Sequence, residues 1–122
     1  MKEPTAVFVY GTLQPGNARW GLLEPFAGGT PRPAVVPGRL YDTGRGYPAA
    51  NFDESDDGSE VVGFVVPISE AHIQRAVEIL DQVEGTEHGL YRRIVVATAD
   101  GEQVWTYAWA SNPDGLTPID KW

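Results

Sequence analysis

Residues 7–16, Val7-Phe8-Val9-Tyr10-Gly11-Thr12-Leu13-Gln14-Pro15-Gly16, decide how the rest of the chain is read. Val7 to Tyr10 form a continuous apolar run with the look of a buried strand, and Gly11 stops it. A strand ending in Tyr-Gly-Thr-Leu can turn backbone N–H groups out of the sheet, where they can meet an anion or a developing oxyanion. Glycine at position 11 is expected to supply a backbone conformation other residues resist, and to let a ligand approach the main chain. The plainer alternative is that Gly11 ends a strand and Pro15-Gly16 makes the next turn. Taken alone, the stretch favours the plainer reading.

Composition sets the outer limits. A length of 122 residues fits one domain, residues 1–122, with one hydrophobic core. The absence of cysteine removes disulfides and thiolate metal sites, and suits a cytoplasmic location. A net charge of −8 argues against nucleic acid and against an anionic membrane surface as partners. The first apolar run, about five residues, is too short for a signal-peptide core or a spanning helix. Oligomeric state is not encoded legibly, although an edge strand around Pro37 could pair or be covered.

Fourteen glycines and ten prolines punctuate short runs rich in Val, Tyr and Trp, a pattern that favours strands. Asn17 to Phe26 is expected to hold one or two helical turns, with Trp20, Leu23 and Phe26 on one side and Gly21 and Pro25 keeping it short. Ala34 to Tyr41 reads as a strand interrupted at Pro37-Gly38, hence an edge or a bulge. Tyr47-Pro48-Ala49-Ala50 reads as a loop feeding a short extended piece, and Glu60 to Val66 as a second buried strand. Between them, Asp53 to Glu60 places five acids in eight residues. Their spacing does not match a calcium loop, so a solvated loop is expected.

One helix is well marked. Ser69 is placed as its N-cap, Glu70 in its first turn, and Ile68 and Ile73 as a hydrophobic staple. Ile73, Ala76, Val77 and Leu80 follow at helical spacing, and Gly85 supplies the stop. Tyr91–Ala99 and Gln103–Ala110 then form a hairpin around Asp100-Gly101, with Trp105, Tyr107 and Trp109 on one face. The final segment from Ser111 to Trp122 reads as a loop. At the helix exit, Asp81 and Glu84 stand three apart, where carboxylates are disfavoured by the helix dipole. Two readings stand. Glu84 could be a shielded carboxyl with a raised pKa, able to exchange protons near neutrality, or an exposed group pairing with Arg92 or Arg93.

Four ordered blocks now combine: Tyr10-Gly11-Thr12-Leu13, Gly38 to Ala49, Leu80 to Gly85, and Leu90-Tyr91 with Arg93. Together they resemble the gamma-glutamylcyclotransferase-like superfamily, in particular its small bacterial members and the gamma-glutamylamine cyclotransferases. The resemblance implies an α+β fold: a small mixed β-barrel with one main helix packed across it and a cavity at one end. It implies release of a gamma-glutamyl group as 5-oxoproline, with no metal and no organic cofactor. Carried over by position, Glu84 matches the acid/base glutamate, and Tyr10, Gly11, Thr12 and Leu13 match the loop whose backbone holds the gamma-glutamyl group. Tyr91 matches a tyrosine near the cavity, Arg93 the basic residue two positions on, and Tyr47 lies in the segment at the cavity mouth. Many bacterial members close with a Gly-Asp-Trp-like segment; this chain ends Asp120-Lys121-Trp122.

The residue types suit that chemistry. Glu84 would take a proton from the substrate's α-amine and return it to the leaving nitrogen, while N–H groups of residues 11–13 hold the oxyanion. His72 and His88 have no spaced partner for a metal or a triad and read as surface residues. Tyr91 and Arg93 fall on one strand face, leaving Arg92 for solvent. Substrates open to this reading include gamma-glutamyl amines, dipeptides and a gamma-glutamyl group on a biosynthetic intermediate. A second hypothesis is a non-catalytic module that uses the same pocket to hold a small molecule or a protein partner.

Overall fold

A computed structural model describes residues 4–52 and 58–122. Of the acidic run from Asp53 to Glu60, expected as a solvated loop, residues 53–57 lie outside the described residues, and Glu60 is exposed at the start of a strand. Strand β1 (Ala6–Val9) sits at the middle of a five-stranded sheet with order β2-β5-β1-β7-β6. Its neighbours are β5 (Glu60–Pro67), antiparallel to it, and β7 (Gln103–Trp109), parallel to it. β2 (Arg32–Pro37) and β6 (Tyr91–Ala97) form the edges. The edge position of β2 explains how Pro33 and Pro37 are tolerated in a strand.

The second sheet has three strands in the order β4-β3-β8: β4 (Pro48–Asn51), β3 (Arg39–Asp42) and β8 (Thr117–Ile119), all antiparallel. The expected strand across 34–41 is therefore two strands in two sheets, divided at Gly38. The segment from 111 onward is not all loop, because β8 pairs with β3 through Leu40 and Ile119. The architecture is α+β as expected, and since the two sheets do not close on one another it is a barrel only in a loose sense.

The continuous apolar run of β1 follows from its position. Val7 and Val9 face one core with Leu13, Leu23, Val66 and Leu80, while Ala6, Phe8 and Tyr10 face a second with Val36, Leu40, Val61 and Val65. A central strand covered on both faces needs apolar residues at every position, which removes the two-residue alternation. The second core lies toward the small sheet. Thr106, fully buried on β7, is satisfied by donating to the Phe8 carbonyl at 2.9 Å.

Helix α2 (Ile73–Val83) covers the first core with Ala76, Val77 and Leu80 buried. It starts four residues after Ser69, and His72 holds the cap position. Ser69 is thus not the N-cap: its hydroxyl lies 2.7 Å from His72 Nδ1, and its carbonyl accepts the His72 N–H at 2.9 Å in a preceding turn. Glu70 falls in that turn, outside the helix. The smaller helix α1 (Trp20–Leu23) and the 3₁₀ turn Glu24–Phe26 occupy the expected short helical segment. No helix among the described residues is long and apolar enough to cross a membrane.

Candidate active site

The loop after β1, the exit of α2, and the starts of β4 and β6 meet around a cavity of about 80 Å³. The loop is folded by its own turns. The Gln14 N–H donates to the Gly11 carbonyl at 3.1 Å, and the Arg19 N–H donates to the Thr12 carbonyl at 2.8 Å. These bonds use carbonyl groups. Among the described residues, the N–H groups of Gly11, Thr12 and Leu13 donate no hydrogen bond to the protein. Undonated backbone N–H groups on a loop that borders a cavity are candidate donors to an anion.

Gly11 meets a different requirement from the expected one. It is not among the glycines with positive φ. A β carbon there would instead lie 2.7 Å from Cγ of Pro48, so glycine lets β4 come against the loop. The Pro48 carbonyl accepts the Tyr91 hydroxyl, which ties β4 to β6 across the cavity wall.

At the other side, α2 ends as the sequence indicates. The Glu84 N–H donates to the Leu80 carbonyl at 2.8 Å, and Gly85 turns the chain with a left-handed φ of 68°. Asp81 and Glu84 then separate in role. Asp81 accepts from Arg93 Nε at 2.9 Å and from the Tyr107 hydroxyl at 2.7 Å, while the Arg93 guanidinium lies 4.5 Å from the centre of the Trp105 ring. The alternative of a Glu84–Arg93 pair is thereby overturned, because Asp81 holds that arginine. Glu84 lines the cavity, and burial pushes its carboxyl up to about 7, with the Arg19 charge pulling the other way.

Every residue expected at the site borders this one cavity: Tyr10, Gly11, Thr12, Leu13, Tyr47, Glu84 and Tyr91. The hydroxyls of Tyr10 and Tyr91 are donated to the carbonyls of Tyr107 and Pro48, so both rings are held rigidly and neither O–H is left to give a ligand. Burial raises both phenols above the ordinary tyrosine value, which keeps them neutral. Tyr47 and Tyr91 border the cavity and both contact Trp109, which does not line it; the Tyr91 and Trp109 rings meet edge to face at 5.3 Å. Arg93 and Arg92 do not line the cavity; Arg92 is exposed. His72 and His88 are exposed, as read from the sequence.

Sequence reasoning missed Phe8, Val9, Arg19, Pro48, Leu90 and Tyr107 on the lining. Tyr107 had a signal in the aromatic alternation of its strand. Arg19 had none, since an arginine shortly after Pro15-Gly16-Asn17 looks like any solvated residue.

The two-sheet α+β scaffold thus carries one carboxyl acid, Glu84, on a cavity bordered by Tyr47, Tyr91 and the loop of residues 11–13. The chain belongs to the family described as gamma-glutamyl cyclotransferase, AIG2-like, whose model matches residues 7–122. A Halalkalibacterium halodurans protein named "Putative gamma-glutamylcyclotransferase" is 38% identical over 96 residues, covering 75% of this chain and 83% of that one. The crystal structure of an AIG2-like protein from Mus musculus superposes with a TM-score of 0.75 at 19% identity, over 99% of this chain and 89% of that one. A solution structure from Arabidopsis thaliana gives 0.65 at 26% identity, over 93% and 68%.

Proposed function

We propose that this chain is a gamma-glutamyl cyclotransferase that converts a gamma-glutamyl amide into 5-oxoproline and a free amine or amino acid, with Glu84 as base and then acid. The observation that carries the reading is the pairing across one cavity of a carboxyl raised to about 7 with a loop of undonated N–H groups. A carboxyl poised near neutrality can both take and return a proton under ordinary conditions.

The reaction balances without water and without a redox partner. The substrate's α-amine attacks its own γ-carbonyl carbon, and Glu84 accepts the proton that the nitrogen loses. The carbonyl oxygen becomes an oxyanion facing the N–H groups of residues 11–13. Collapse breaks the bond to the leaving nitrogen, Glu84 returns the proton there, and the five-membered lactam remains. An oxyanion donor is worth about 100- to 1,000-fold in such steps.

The test is 5-oxoproline release from gamma-glutamyl amines, gamma-glutamyl dipeptides and glutathione, with Glu84→Gln in parallel. Release by the wild type, reduced at least about 100-fold in the variant, supports the mechanism. Retained turnover in Glu84→Gln overturns it. No release from any compound by folded protein, together with a thermal shift on adding 5-oxoproline, would favour a binding module on the same fold.

A further inference from the structure

Among the described residues Arg19 is the one basic residue on the cavity lining, as Glu84 is the one acidic, and Arg19 sits on the solvent-exposed side of it. Its backbone is tied on both sides, the N–H to the Thr12 carbonyl at 2.8 Å and the carbonyl to the Leu22 N–H at 3.0 Å. The side chain is not similarly tied. Arg32, Arg75 and Arg93 stand against Glu102, Glu78 and Asp81, whereas among the described residues the Arg19 guanidinium meets no carboxylate. In a chain with 17 acids and 9 basic residues, an arginine at a cavity without an acidic partner is available to a ligand. Its positive charge favours the ionised forms of Glu84 and Tyr91.

We infer that Arg19 is a specificity-determining residue whose guanidinium receives a carboxylate of the substrate. The inference rests on the cyclotransferase reading for the kind of molecule bound. An amino-acid head carries an amine and a carboxylate on one carbon, and Glu84 and Arg19 offer the complementary pair of charges on one cavity. A gamma-glutamyl amino acid carries a second carboxylate, on its leaving group. Both are planar anions that a guanidinium can bind through two parallel N–H donors, which an ammonium group cannot reproduce.

Matched compounds separate the two sources. Gamma-glutamylalanine against its carboxamide tests the leaving-group carboxylate; the same dipeptide against 4-aminobutanoylalanine tests the α-carboxylate. KM and kcat are measured for wild type, Arg19→Gln and Arg19→Lys, and calorimetric affinities for Glu84→Gln with and without Arg19→Gln. A charge-assisted hydrogen bond of this kind corresponds to about 10- to 100-fold in affinity. The wild type is expected to favour the carboxylate in one of the two pairs by that factor, expressed in KM. Arg19→Gln should collapse that ratio toward one, and Arg19→Lys should restore only part of it. The pair that collapses names the carboxylate. An equal loss for every compound, or ratios untouched by Arg19→Gln, overturns the inference. Calorimetric discrimination that depends on Arg19 in a protein releasing no 5-oxoproline would sustain Arg19 and sink the catalytic reading. Affinity indifferent to both carboxylates sinks the Arg19 inference whatever the turnover.

Discussion

Glu84 sits where two demands conflict. Burial raises its pKa from 4.5 to about 7, so the folded state binds a proton more tightly than the unfolded chain. Between those values the native protein holds more protons, and its stability falls as pH rises through the window. Above pH 7 the loss is complete, at most about 3 kcal/mol. Glu84→Gln should therefore be more stable than wild type at pH 8, with the difference vanishing below pH 4.5, as thermal melts across pH would show. In the proposed mechanism catalysis has the opposite sign, because a base must be ionised. The acid limb of kcat/KM for the wild type is expected to fall tenfold per pH unit below about 7. A limb near the ordinary carboxylate range would place the titrating group elsewhere. Asp81 cannot substitute for Glu84, since Arg93 and Tyr107 already occupy it.

At the scale of elements, the site depends on how α2 stops and how closely β4 meets the loop after β1. Gly85 has φ 68°, a conformation costly to other residues, and the next turn sends the Leu90 N–H back to its carbonyl at 3.2 Å. Gly85→Ala should cost about 1 kcal/mol in chemical denaturation and lower kcat/KM beyond that loss, because the strain is absorbed beside Glu84. Gly11→Ala should lower kcat/KM further: its new β carbon would press on Pro48, whose carbonyl anchors Tyr91. Gly85, the β6–β7 hairpin and the core face of α2 were legible because each is fixed by neighbours in sequence. The start of α2 was not. Ser69 is a good capping residue by type, but its hydroxyl is drawn to His72 and the helix begins only after an intervening turn. Gly11 was marked correctly as special, yet the reason lies in a strand 37 positions away, where no local pattern points.

At the scale of the molecule, the small sheet links the chain's end to the site. β8 is three residues long with a proline at its centre, too short and too broken to declare itself as a strand, and only pairing with β3 makes it one. Arg19 was equally illegible: its place on the cavity follows from the path of the chain between β1 and α1, not from its neighbours. β3 in turn pairs with β4, which carries Pro48 and borders Tyr47. Ile119 and Trp122 pack against the second core, partly covering Leu40 and its neighbours. Removing residues 117–122 strips β3 of a strand and exposes that core. Partial burial of the two side chains is worth about 2–3 kcal/mol, enough to lower Tm by about 10 °C in a chain of this size. Because β4 would then rest on a two-stranded remnant, the truncated protein should also show weaker binding of 5-oxoproline than wild type at temperatures where both are folded. Trp122→Ala alone, which leaves β8 paired, should lower Tm while retaining that affinity. Equal loss of affinity in both would show that packing by Trp122, and not the pairing of β8 with β3, supports the cavity.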